Sequence, residues 1–160
     1  LRGGEPPTAL QGVTNELLKL IPLFRERPGR LLIVATNFIR ALDDAFLRHG
    51  RFDYVIPIGL PDKTARESIW HRYIPAGALE SVDVAELVKR TDGFSPADIE
   101  FAARKAAQKA LESAVYDDGV SVPTGPTTED YLWAVGDTRM TVSGEMVGQF
   151  LEDIEALARL

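Results

Sequence analysis

Three side chains in the first third of the chain have the types and spacing to act on a charged ligand. Asn37 follows the apolar run at residues 31–35 (LLIVA), with Thr36 between. In an open parallel sheet, ligands bind just beyond the carboxyl ends of the strands. A neutral amide at that place orients a water or touches a phosphate oxygen. Taken alone, it also fits a plain asparagine that turns the chain. Arg48 and Arg51 stand three residues apart around Gly50, within residues 42–53 (LDDAFLRHGRFD). A guanidinium is planar, permanently charged and matched to phosphate oxygens. Two of them on one turn suit a polyphosphate. Singly, they read as a helix C-terminal arginine and a surface arginine.

These groups need elements to hold them. Residues 1–12 are rich in Gly and Pro and read as a loop. Apolar positions 13, 17, 20 and 21 predict a helix over 13–21, ended by Pro22 and then by Pro28-Gly29. Residues 31–35 predict a parallel strand buried on both faces. Residues 43–48 predict a short helix with Asp43 as its N-cap and Gly50 as its stop. Residues 54–58 (YVIPI) predict another strand, with Pro57 near its end.

Beyond Pro61-Asp62 the pattern becomes helical. Helices are expected over 63–74 and 83–91. The clearest begins at Ser95, with Pro96 at the first helical position and Asp98 completing a capping box. Its apolar face runs Ile99, Ala102, Ala103, Ala106, Ala107, Ala110, Leu111 and Ala114, small enough for close helix–helix approach. Residues 117–127 read as a loop, and 128–135 and 143–159 as two last helices. The fold class expected is an α/β remnant followed by an all-α helical subdomain. The domains divide at residues 1–60 and 61–160.

Composition excludes several classes. The chain has 160 residues, 45% apolar and 26% charged, which is ordinary for a folded domain. It has no cysteine, so disulfides and thiolate zinc sites are out, and two histidines make a His-based metal site a poor reading. No metal-binding residues are assigned. Net charge is −6, made of about +2 over residues 1–60 and about −8 over 61–160. That acidity argues against general nucleic-acid affinity. Arg40, Arg48 and Arg51 leave room for a local anionic target. The run 31–35 is too short to span a bilayer. No signal peptide is visible, and a cytoplasmic protein is the default expectation. The first residue is Leu rather than Met, which fits a piece of a longer protein.

Four blocks, in order, resemble the AAA+ ATPases, in the subgroup with the second region of homology. They are Ala35-Thr36-Asn37; residues 42–53; Pro61-Asp62 with Arg66; and residues 93–99 (GFSPADI). The likeness covers roughly residues 13–115. It implies the last strands and helices of a P-loop NTPase core, then the helical lid. Asn37 then matches the sensor-1 residue that positions the attacking water. Arg48 and Arg51 match the arginine fingers that reach the γ-phosphate held by the neighbouring subunit. Asp43 caps the helix that presents them. Pro96 and Ala97 fall where small residues line the adenine pocket. Ile69 and Tyr73 fall on the first lid helix, where the family contacts adenine and ribose, although core packing explains those two equally.

The resemblance further implies ATP and Mg2+ as cofactors of the full-length protein, with the Mg2+ ligands outside this chain. It implies like subunits in a ring, a homo-hexamer, with a protein as substrate. Some positions depart from the family. Pro22 and Leu23 replace a common Asp-Gly before Phe24, His49 stands where Pro is common, and Pro96 replaces a frequent Gly. The chain has no Gly-Lys pair and no Asp-Glu dipeptide, so neither the phosphate-gripping loop nor the magnesium-holding pair lies within it. The expected function is therefore the C-terminal fragment of a ring-forming, protein-remodelling ATPase, inactive by itself. The alternative is a non-enzymatic, P-loop-less module that docks on an ATPase or serves as a helical interaction domain. A DNA-handling AAA+ protein fits the acidic lid less well. No H-E-x-x-H protease motif is present.

Overall fold

The computed structural model describes residues 9–42, 44–48, 50–116 and 125–159. Asp43, His49 and residues 1–8 and 117–124 fall outside the described set, so the Asp43 cap and most of the two expected loops do too. The chain divides into two compact units. One ends at Pro57 and takes in Gln149 onward; the other is Ile58–Gly148. Six α-helices are described: α1 (Ala9–Arg25), α2 (Lys63–Tyr73), α3 (Val84–Arg90), α4 (Pro96–Tyr116), α5 (Thr128–Gly136) and α6 (Gly144–Leu157).

The second unit holds the core. Its helices start where side chains satisfy the free N–H groups of the first turn. Asp62 accepts from Ala65 N at 2.8 Å, and Asp83 from Glu86 N at 3.0 Å. Thr127 and Asp130 form a reciprocal capping box on α5. At α4 the expected box is present: Asp98 Oδ2 accepts from Ser95 N at 2.8 Å, and Asp98 N donates to Ser95 Oγ at 3.2 Å. Ala102, Ala103 and Ala106 of α4 are buried, and these small side chains let α2 and α5 come close. Against them Trp70 of α2 meets Tyr131 of α5 edge to face, with centroids 5.7 Å apart and planes at 82°. The Trp70 indole donates to Thr91 Oγ1 at 3.3 Å, and that hydroxyl donates to Leu87 O at 2.8 Å. A buried polar atom of the core thus keeps its partner. Arg66, also buried, donates to Pro61 O at 3.0 Å and pairs with Asp92 at 3.0 Å.

Asp98 does more than cap. Its Oδ2 also accepts from Thr141 N at 3.4 Å, which fastens the stretch after α5 to the start of α4. Burial, the largest single influence, pushes its carboxyl up, but the donors of Ser95 and Thr141 together hold it below the ordinary range. One position in this stretch requires glycine. Gly93 has φ +79°, and a Cβ built there would lie 3.2 Å from Met140 Sδ.

The first unit differs from expectation in three ways. No strand is described at 31–35 or 54–58, so the α/β remnant is not seen as a sheet; the described residues of this unit hold one isolated antiparallel bridge, Val55 with Arg159. A strand exists only through a neighbour that takes its N–H and C=O groups. Leu31 and Ile33 are each 80% exposed, so among the described residues little covers the face they share. Second, α1 starts at Ala9, inside the loop expected over residues 1–12, and passes through Pro22 instead of ending there. Pro22 removes one i→i−4 bond, while its neighbour Ile21 is buried and holds that turn. The chain turns away at Pro28-Gly29, where Gly29 takes φ +75°. Third, 44–47 is a run of turns rather than a helix. Among the described residues its main-chain bonds include two i→i+3 bonds, Leu47 N to Asp44 O at 3.1 Å and Arg48 N to Ala45 O at 3.4 Å. So few residues before Gly50, at φ +89°, leave too little chain to repay helix nucleation.

The depressed carboxyl of Asp98 gives stability that is fully present above its unfolded value, about 4, and lost as pH falls through the folded value. Thermal unfolding of Asp98→Asn will therefore show a flatter decline in acid than the wild type. Asp98→Ala will lose about 1–2 kcal/mol at neutral pH, a normal loss for an N-terminal cap. Parallel acid profiles for Asp98→Asn and wild type would refute this role.

Candidate functional site

The structure distributes the seven candidate residues over its two units: Asn37, Arg48 and Arg51 in the first, Ile69, Tyr73, Pro96 and Ala97 in the second.

In the first unit, Asn37 is exposed at a bend between the run 31–35 and a 3-10 helix, Ile39–Ala41. The bend is held by Phe38 N donating to Thr36 Oγ1 at 3.0 Å. The amide of Asn37 is left facing solvent. Arg48 is exposed, and its guanidinium has no hydrogen-bond or ion-pair partner among the described residues. Arg51 is half-buried. Its Nη1 donates to Ala45 O, so its guanidinium is folded back over the 44–47 turns. Its own carbonyl accepts from Arg25 Nη1 at 3.4 Å, and Arg25 pairs with Asp53 at 2.9 Å. The two loop arginines are therefore unlike: one is free to meet an anion, and the other is tethered.

In the second unit, Tyr73 and Ile69 of α2 are partly buried against the core. Tyr73 Oη donates to Glu100 Oε2 at 2.9 Å, four residues into α4 from Pro96. That bond, more than burial, raises the Tyr73 phenol above its usual value. Pro96 and Ala97 are exposed at the start of α4. Tyr73 is thus brought to the same helix as Pro96 and Ala97. None of the four lines the groove of about 510 Å³ between the ends of α3 and α5, walled by Phe94, Leu132, Val135 and Met140. Among the described residues, no cluster of three or more His, Cys, Asp or Glu is placed to hold a metal ion.

Comparison with known proteins resolves the family. Residues 81–115, covering α3 and nearly all of α4, match the AAA+ lid domain. The chain belongs to the AAA+ ATPases. It is 45% identical over 87 residues, 54% of the chain and 13% of the relative, to an ATP-dependent zinc metalloprotease FtsH of Mycoplasmopsis synoviae. It is 33% identical over 147 residues, 84% of the chain and 20% of the relative, to a cell division cycle protein 48 homolog of Archaeoglobus fulgidus. Among solved structures it resembles the FIGL-1 AAA domain with a TM-score of 0.74 at 22% identity, over 91% of this chain and 51% of that one. This last likeness is one of fold. The chain spans between about an eighth and a fifth of the length of these two relatives.

Sequence reasoning missed three arginines that the AAA+ chain uses to hold its first unit together. Arg25 pairs with Asp53. Arg40 pairs with Glu152 at 3.0 Å and Asp153 at 2.6 Å, and Arg159 bonds the turn beside Arg48. Their partners lie 28 to 113 residues away in sequence, so no i,i+4 pattern announces them. Only Arg40 carried a signal, as one of three arginines close together.

The bond from Tyr73 to Glu100 has a direct readout. Replacing Glu100 with Gln will lower the Tyr73 ionisation midpoint toward that of a free tyrosine, measured by NMR titration of its ring. An unchanged midpoint would mean that the Tyr73 hydroxyl does not depend on Glu100.

Proposed function

We propose that this chain carries the sensor and arginine-finger end of an AAA+ core together with its lid, within a ring-forming ATPase that remodels proteins. The observation that carries the reading is Arg48, exposed and without a partner among the described residues, beside the tethered Arg51, in a loop followed in sequence by an AAA+ lid. A free guanidinium on an anchored turn suits a phosphate presented from outside the chain. In this reading Arg48 and Arg51 face the γ-phosphate bound to a neighbouring subunit, and neutralise charge that develops as the phosphoryl group transfers. Asn37 orients the attacking water. In the lid, Pro96 and Ala97 border the adenine, with Ile69 and Tyr73 behind them. Residues 1–60 form the end of the core and 61–160 the lid. ATP and Mg2+ are the cofactors, and the residues that hold the metal belong to another part of the protein. Like subunits, six by family habit, are the partners, and the compartment is the cytoplasm. Among the described residues no helix is long and apolar enough to cross a membrane.

The chemistry assigned here to this chain is confined to its own groups. Arg48 and Arg51 supply positive charge in fixed positions. Asn37 supplies a neutral donor and acceptor. The lid closes over the base and excludes water.

Steady-state ATP turnover by the full-length gene product tests the proposal. Arg51→Ala will lower kcat by about 10³-fold or more and leave nucleotide affinity nearly unchanged. Arg51→Lys will not restore turnover, because an ammonium lacks the fork that spans two oxygens. A large loss of affinity with turnover intact would contradict a role in trans. A full-length product without a G-K-S/T loop would favour the arginine-donating module instead.

A further inference from the structure

The loop that carries both arginines has little structure of its own. It runs from the 44–47 turns, through Gly50, to Val55, and its described residues make no regular element. One residue far along the chain closes both of its ends. Arg159 Nη2 donates to Leu47 O at 2.7 Å. The main chain of Arg159 pairs with Val55 in both directions: Val55 N donates to Arg159 O at 2.9 Å, and Arg159 N donates to Val55 O at 3.1 Å. Arg48 and Arg51 both lie between Leu47 and Val55. A charged donor on a carbonyl is a strong bond, and a two-way main-chain pair fixes register as well as distance.

The segment that delivers Arg159 is itself held. Arg40, three residues after Asn37, donates from Nε to Asp153 at 2.6 Å, and from Nη2 to Glu152 at 3.0 Å and to Gln149 O at 3.0 Å. Each of these would be weak alone at the surface. Sharing one planar guanidinium, they orient one face of α6. The Asp153 bond leads the influences that raise the Arg40 pKa. Leu47, Ala156, Leu157 and Arg159 line a small cleft where the end of α6 meets the 44–47 turns.

We infer that Arg159 is a positioning residue for the arginine loop. With its main chain on Val55 and its guanidinium on Leu47, it sets the span across which Arg48 and Arg51 are presented, and Arg40 anchors the α6 segment that brings it there. The effect on phosphate chemistry rests on the finger reading above; the bracing of the loop does not. The brace supplies what a strand would otherwise supply at residues 54–58.

Two measurements separate these parts. In the chain as it stands, amide exchange will rise about tenfold or more at residues 47–55 in Arg159→Ala. Arg159→Lys will keep much of the protection, since one ammonium donor still reaches Leu47 O. Arg40→Ala will raise exchange along residues 149–157 and at Val55. In the full-length protein, Arg159→Ala will lower kcat about 10- to 100-fold, a usual penalty for a misplaced group. The KM for ATP will stay within about twofold, and Lys will recover part of the loss. Unchanged exchange at 47–55 in Arg159→Ala overturns the brace, whatever Arg51→Ala does. Raised exchange with unchanged kcat, while Arg51→Ala abolishes turnover, overturns its role in presenting the arginines. Raised exchange with turnover indifferent to Arg51→Ala upholds the brace and overturns the finger reading alone.

Discussion

The carboxylate of Asp98 is the constraint from which the lid is built. One oxygen of a buried side chain takes donors from Ser95 and from Thr141, 43 residues further on. It starts α4 where it must start, so that Ile99, Ala102, Ala103 and Ala106 face Trp70 and Tyr131. It also returns the chain after α5 to the start of α4, against Gly93, whose φ of +79° favours glycine. A one-residue shift in the start of α4 would rotate its alanine face by about 100°. A buried carboxylate without those donors would carry a heavy desolvation cost. Packing and electrostatics therefore require the same register, and that agreement makes the lid specific rather than merely compact.

That agreement also made the lid legible in sequence. Caps are local, and their residues stand within four positions of the groups they satisfy. Ser95, Pro96 and Asp98 announce α4, and the alanine spacing announces the face buried at Ala102, Ala103 and Ala106, although Ala107 and Leu111 further along it are exposed. The expected helices at 63–74, 83–91, 128–135 and 143–159 lie within a residue or two of α2, α3, α5 and α6. The first unit was legible only in part, because its structure depends on distant partners. Residues 31–35 have a strand's composition, but composition supplies no neighbour, and Leu31 and Ile33 stand uncovered. Pro22 is a breaker by rule, yet α1 runs through it beside the buried Ile21. Loop geometry from Leu47 to Val55 is set by Arg159, over a hundred residues later.

The same contrast runs through the candidate site. Asn37, Arg48 and Arg51 are proposed because their types and order match a known pattern of blocks. Nothing local distinguishes Arg48 from Arg51. The structure does: Arg48 is exposed without a partner among the described residues, while Arg51 spends a donor on Ala45 O. A guanidinium has five N–H donors, so one tether leaves Arg51 able to take a phosphate oxygen while fixing its direction.

On the arginine-finger reading proposed above, placing a cation ahead of time is the more demanding half of the chemistry. A long side chain that must be ordered during the reaction loses rotamer freedom at that moment, about 2 kcal/mol for arginine. A side chain already tethered has lost much of it during folding. Arg51, on Ala45, belongs to the second kind; Arg48 belongs to the first. An exposed arginine has the reach to find a phosphate presented from outside, and a tethered one has the direction to act on it. Both depend on the same short backbone, which makes no helix or sheet of its own. On that reading, charge for the reaction can sit on a loop this irregular only if something fixes the loop's two ends. The two-way pair at Val55 and the guanidinium on Leu47 meet that requirement with one residue.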